Sequence, residues 1–188
     1  MSELIRCPWG TKDDSLMQQY HDHEWGKLNL DEQYLFEMLT LELFQSGLNW
    51  SMILHKRENF QRAFKNFVPV EVAKMTDDDI ALLMQDSSIV RNKMKITATL
   101  KNAKAILAVD AKEGSFAHYL QQFVKTPIVH HAQTAEEVPS TSKITAQMAK
   151  QMKKDGFSFV GPITLYSFLQ SVGLINDHLE TCSFKYQG

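Results

Sequence analysis

Cys7 and Cys182 are the only cysteines of this chain, and they lie at its opposite ends. Each has a histidine at a spacing that can serve a metal: Cys7 with His21, and His178 with Cys182. If the two pairs meet, two thiolates and two imidazoles close a four-coordinate Zn²⁺ site of the structural kind. Such a site is neutral overall and clamps the N-terminal segment to the C-terminal one. Metal-free and metal-loaded protein should then differ in stability. His178 and Cys182 have the i, i+4 spacing that puts both on one helical face. The Cys7–His21 gap carries no such signal. Two other readings compete, a pair of buried thiols and a disulfide. The chain shows no signal peptide and reads as cytoplasmic, which disfavours the disulfide. Spacing alone leaves zinc and buried thiols both open.

A chain of 188 residues with 44% hydrophobic and 22% charged residues is expected to form one unit over residues 1–188 around one core. No apolar run approaches the length of a membrane span. A net charge of −2 excludes a general polycation, so any grip on nucleic acid must come from local patches. Candidates are Arg91, Lys93 and Lys95, then Lys101 and Lys104, then Lys143, Lys150, Lys153 and Lys154. Each of these also fits a plain solvated helix face. Nothing in the sequence demands more than a monomer.

The hydrophobic pattern predicts an all-α fold. Leu35, Met38, Leu39 and Glu42 follow i, i+3, i+4, i+7, as do Ile96, Leu100, Ala103 and Leu107. Leu165, Phe168, Leu169 and Val172 make a third stripe. Asp77, Asp78 and Asp79 suit a first helical turn. β alternation is scarce, and Pro127 to Val129 is too isolated to build a sheet. From Lys125 to Ser142 the chain reads as a long surface loop, with Ser142 able to cap the helix that follows.

Two segments carry chemistry. Gly156-Phe157-Ser158-Phe159-Val160-Gly161-Pro162 separates two helical stretches, giving a helix, a glycine-bounded hairpin and a helix over about 143–173. Pro162 suits a first helical position. Glycines admit close approach, and the amides opening the second helix are anion donors of the kind a DNA phosphate needs. A simple connection between packed helices fits the same residues. The second segment centres on Glu42, which the stripe turns inward. A buried carboxylate is costly unless paired, so Glu42 is either salt-bridged in the core or lines a pocket. Gln45, Gly47 and Trp50 follow it, and Trp9, Tyr20 and Trp25 cluster near Cys7 and His21. Those aromatics fit a core. They also fit a site for a planar cationic base, which wants stacking, cation–π attraction and a charge partner.

Several blocks of the chain resemble those of the DNA-3-methyladenine glycosylase I family, bacterial base-excision enzymes of the helix-hairpin-helix superfamily. The blocks are Cys7-Pro8-Trp9, Tyr20-His21-Asp22-His23-Glu24-Trp25-Gly26, Leu41-Glu42 through Gln45, Gly47-Leu48 and Trp50, and Lys56-Arg57-Glu58-Asn59. Gly156 to Gly161 and Gly173-Leu174 through Asn176-Asp177-His178 to Cys182 complete them. The resemblance runs from about Arg6 to Cys182. It implies one structural Zn²⁺ on Cys7, His21, His178 and Cys182. It implies base recognition by Glu42, a pocket of Tyr20 and Trp50 with Trp9 and Trp25 nearby, and a DNA backbone grip through Gly156, Phe159 and Gly161. The chain departs from the family pattern in a longer Cys-to-His gap, in Leu43 and Phe44 beside Glu42, and in Asn49 where serine is common. These departures bear on the pocket rim.

The implied reaction is hydrolysis of the N-glycosidic bond of 3-methyladenine in double-stranded alkylated DNA. Alkylation at N3 already makes the base a cationic leaving group, so the enzyme must chiefly extrude and recognise it. No lysine falls within the pocket motifs, so a monofunctional enzyme without a lyase step is expected. Asp177, sixteen residues after Gly161, is expected to orient His178 as a carboxylate behind a metal ligand, with direct catalysis as the alternative. The competing classes are a non-catalytic helix-hairpin-helix DNA-binding zinc protein, and a zinc-dependent hydrolase or redox sensor. Acceptance of 3-methylguanine is not legible.

Overall fold

The computed structural model of the protein describes residues 4–11 and 13–185. It is helical, as expected. The helices are α1 (Ser15–His23), α2 (Glu32–Gln45), α3 (Trp50–His55), α4 (Arg57–Ala63), α5 (Pro69–Ala73), α6 (Asp77–Leu83), α7 (Lys93–Glu113), α8 (Phe116–Gln121), α9 (Lys143–Lys154) and α10 (Pro162–Ser171). Side chains cap most of their starts: Asp14 accepts from Leu16 and Met17 amides, Asp31 from Tyr34, Asn92 from Lys95 and Ser142 from Thr145. Asn49 caps α3 by accepting from Ser51 N at 2.8 Å. It does the capping work serine does at such a position.

Helix α2 is the centre of the molecule. Every residue from Leu35 to Phe44 is buried, not only one stripe, because α7, α8 and α10 pack around it. Each fully buried Leu or Phe contributes about 1.5–3 kcal/mol, which offsets the cost of burying Glu37 and Glu42 in the same helix. Leu43 and Phe44 belong to this core: Phe44 meets Phe60 with ring centroids 4.7 Å apart. They do not line the pocket.

Two expectations need correction. Ile128–Val129 (β1) pairs in parallel with Ile175–Asn176 (β2), a two-residue ladder that pins the start of the 125–142 segment beneath the C-terminal segment. The rest of the segment is the surface loop expected, exposed over most of its length and anchored at Ala132, which is buried and whose carbonyl accepts from Glu180 N at 2.9 Å. Lys95 is no surface cation. It is buried, and Nζ donates to the carbonyls of Phe44 and Ser46 at 2.8 and 2.7 Å. The ammonium caps the C-terminal end of α2, where the helix dipole favours it. Arg91, Lys93, Lys101, Lys104, Lys143, Lys150, Lys153 and Lys154 are exposed. No helix of the described residues is long and apolar enough to cross a membrane.

Candidate active site and metal centre

The N-terminal 3₁₀ turn Pro8–Thr11 folds onto α1, and the segment after β2 returns to the same place. This brings Cys7, His21, His178 and Cys182 together, all buried, with their ligand atoms within 4.8 Å of one another. Cys182 Sγ lies 3.3 Å from His178 Nδ1 and 3.6 Å from His21 Nε2; Cys7 Sγ lies 3.7 Å from His178 Nδ1. The two thiols are free, so the disulfide is not formed. The nitrogen that each ring turns away from the cluster meets an acceptor. His21 Nδ1 donates to Asp22 Oδ1 at 2.8 Å, and His178 Nε2 donates to the Trp25 carbonyl at 2.9 Å. Each ring therefore keeps an unprotonated nitrogen toward the cluster, the tautomer a metal ligand needs; that of His21 accepts from the Cys7 amide at 3.2 Å. Arg6 holds Asp22 in turn, with two nitrogens at 2.8–3.1 Å. Burial pushes the Cys7 thiol up to about 12 and His178 down to about 4. The site therefore favours neutral groups until a cation draws off the thiol protons. This set could hold one four-coordinate metal ion.

Asp177 does not orient His178. Its Oδ1 lies 2.6 Å from His130 Nδ1, and its Oδ2 accepts from Tyr166 Oη at 2.8 Å and Gln170 Nε2 at 2.7 Å. The carboxylate behind a candidate ligand is instead Asp22, behind His21.

Beside the cluster is a cavity of about 250 Å³ lined by Trp9, Met17, Tyr20, Trp25, Glu42, Gln45, Trp50, Ser167 and Gln170. All five residues expected to handle a base are in this list. Tyr20 and Trp50 meet at 5.2 Å with rings tilted by 53°; Trp9 and Trp25 meet edge to face at 4.9 Å. Glu42 is 6% exposed and makes neither a salt bridge nor a hydrogen bond among the described residues. Of the two readings of this residue, the pocket reading holds. Burial alone pushes its carboxyl up to about 8. Tyr20 is raised by burial and then by the nearby Glu42. A larger cleft of about 690 Å³ between Gly26–Leu28 and Thr126–Val129 holds no carboxylate or aromatic ring.

Ser167, Gln170 and Met17 were not among the expected pocket residues. Ser167 and Gln170 stand on α10 next to the buried Phe168 and Leu169, where a polar residue in the pattern reads as solvent-facing. The block Lys56-Arg57-Glu58-Asn59 turns out to be a brace. Arg57 bridges Glu24 and Glu37 at 2.8 Å each, and Lys56 and Asn59 both donate to the Ser88 carbonyl.

The hairpin forms as expected. Gly156, with φ of 95°, ends α9. Its N–H donates to Lys153 O and the Phe157 N–H to Met152 O, the paired bonds of a left-handed glycine C-cap. Asn102 of α7 clasps the turn, donating to Ser158 O at 3.1 Å and accepting from Ser158 N at 2.7 Å. Phe159 stands exposed at the tip, and Gly161 precedes Pro162 with no side chain over the first amides of α10.

A family model for methyladenine glycosylase matches residues 9–186. The DNA-3-methyladenine glycosylase of Haemophilus influenzae is 42% identical over 181 residues, 96% of this chain and 97% of that protein. DNA-3-methyladenine glycosylase 1 of Escherichia coli is 42% identical over 180 residues, 95% and 96% of the two chains. The structure of 3-methyladenine DNA glycosylase I from Staphylococcus aureus, described for its recognition of 3-methyladenine, superposes with a TM-score of 0.93 at 36% identity over 97% of each chain. With the fold, the pocket and the sequence in agreement, this chain belongs to the methyladenine glycosylase family.

Proposed function

We propose that this chain is a monofunctional base-excision repair enzyme that hydrolyses the N-glycosidic bond of 3-methyladenine in double-stranded alkylated DNA. The observation that carries the reading is Glu42, a buried carboxyl without a protein partner in an aromatic cavity. Burial holds it largely neutral at neutral pH, and a cationic base beside it favours the carboxylate. A neutral base gives no such return, so the pocket selects for alkylation. Tyr20 and Trp50 wall the ring, and Trp9 and Trp25 close the side toward the metal centre. Extruding the nucleotide costs a few kcal/mol, less for a damaged base. Water then attacks C1′, the bonding pair leaves with the base, and an abasic site remains. No lysine lines the cavity among the described residues, which supports the absence of a lyase step. Gly156, Phe159 and Gly161 grip the DNA backbone.

Zn²⁺ fits the metal centre. Bonds of about 2.3 Å to sulfur and about 2.0–2.1 Å to nitrogen at a tetrahedral angle set S and N about 3.6 Å apart. Three of the four S–N separations are 3.3–3.7 Å, and all the ligand atoms lie within 4.8 Å of one another. Four protein donors leave no position for water, so the ion ties the termini and supplies no step of the reaction.

The test is release of free base from methylated duplex DNA. Appearance of 3-methyladenine with intact strands is expected. A folded, metal-loaded protein that binds the duplex and releases nothing would instead be a non-catalytic binder.

A further inference from the structure

We infer that Gln170 is a further catalytic residue, its amide oxygen facing the sugar of the flipped nucleotide, and that Asp177 is the positioning residue that keeps it there. The inference rests on the glycosylase reading above.

Gln170 is half-buried on α10 and lines both the base cavity and an adjoining cavity of about 260 Å³. Its main chain is fixed by the Gly26 amide, which donates to its carbonyl at 2.9 Å. Its Nε2 donates to Asp177 Oδ2 at 2.7 Å, an oxygen that also accepts from Tyr166 Oη. Asp177 and Tyr166 are each 1% exposed, so this support is buried. A carboxylate only accepts, so the amide can offer it nothing but Nε2. Turning the amide over would set two oxygens against each other. Asp177 lines the adjoining cavity and not the base cavity, which leaves Oε1 as the amide atom available to the base cavity. No described residue donates to that oxygen.

Burial gives the cavity a direction. Met17, Tyr20, Trp25 and Glu42 are buried, whereas Trp9, Gln45, Trp50, Ser167 and Gln170 are half-buried and form the mouth. A flipped nucleotide enters base first, so the base reaches Glu42 and C1′ stays beside Gln170. When the C1′–N bond breaks, its electron pair leaves with the base and the positive charge passes to the sugar ring. Glu42 serves the base end. At the mouth, a fixed amide oxygen is what meets the charge as it appears. Because that charge exists only near the transition state, Gln170 should act on kcat and not on KM.

The experiment measures steady-state and single-turnover base release from methylated duplex DNA. If the parent protein releases no base, the glycosylase reading falls and this inference with it. If the parent is active, Gln170→Met, of equal reach but with no acceptor, is expected to lower kcat about tenfold or more with KM within about twofold. Melting temperature and metal content should stay those of the parent. A parent-like kcat, or a loss confined to KM, overturns the inference. Asp177→Asn still offers an oxygen to Nε2, with His130 taking the other tautomer, and should stay within about threefold of the parent. Asp177→Ala should fall to the level of Gln170→Met, and the double variant should fall no further. Additive losses would overturn the positioning role, and the Gln170→Met arm decides the rest even if Asp177→Ala fails to fold.

Discussion

His178 Nε2 donates to the main-chain carbonyl of Trp25 at 2.9 Å, and the two rings meet edge to face at 4.7 Å. One residue belongs to the Cys/His cluster that could hold a metal, and the other lines the cavity around Glu42. Trp9 makes a second such link, 4.8 Å from His21 and 4.9 Å from Trp25. The Cys/His cluster thus backs directly onto the pocket.

Removing the metal should therefore alter the pocket as well as the fold. Chelation is expected to lower the melting temperature and to change tryptophan emission at the same point of the titration. Cys182→Ser should reduce metal content from one ion per chain to none. Because binding draws off the Cys7 proton, held up to about 12 by burial, metal affinity should fall at least about tenfold for each pH unit lowered across neutrality. A pH-independent affinity would contradict the thiolate assignment.

Glu42 should leave its mark on stability. Its carboxyl is raised from 4.5 to about 8 in the fold, so the neutral form is the stable one. The stability this group supports is complete below pH 4.5 and is lost as pH rises through 8. Glu42→Gln cannot ionise. Its advantage over the parent should grow between pH 5 and pH 9 by on the order of a few kcal/mol, read from denaturant melts. Parallel pH profiles would show that Glu42 is ionised in the free protein.

Asn102→Ala would leave the Ser158 N–H and C=O without their partner, at a cost of about 1–3 kcal/mol. The hairpin would loosen while the base cavity stays intact. Duplex DNA should bind more weakly, and free 3-methyladenine as it does to the parent, which calorimetry can compare directly.

Gly173 sits at φ 75°, and a Cβ there would lie 2.1 Å from the Lys27 carbonyl carbon. Gly173→Ala should cost more than about 4 kcal/mol, since backbone must move between α10 and the metal-binding segment. Gly47, at φ 78° with open space around it, serves as the control. Gly47→Ala should cost only about 1–2 kcal/mol, the price of the conformation alone. Thermal melts of the two variants should differ accordingly.

The elements were legible in the sequence because helical period, caps and hairpin glycines are local signals. Leu165, Phe168, Leu169 and Val172 lie inside as their spacing says. The Cys and His pairs were legible as ligand types, but their meeting was not, since it depends on how the two ends of the chain return. What stayed illegible depends on packing at long range. Lys95 reads as one more cation beside Arg91 and Lys93 until the end of α2 is seen against it. Asp177 reads as a partner of its neighbour His178, yet the backbone after β2 turns it toward Tyr166, Gln170 and His130. Glu42 was readable as inward-facing, whereas its lack of a partner could only be seen once every neighbour was in place.

The most direct test of the account is the rate of 3-methyladenine release from methylated duplex DNA by the parent and by Glu42→Gln, with melting temperature and metal content measured on both. The account predicts release by the parent and a loss of about 100-fold or more in the variant, at unchanged stability near neutral pH or better and with one metal ion retained. A variant that releases base at the parent rate would contradict it, and recognition of the cationic base would have to lie elsewhere in the cavity.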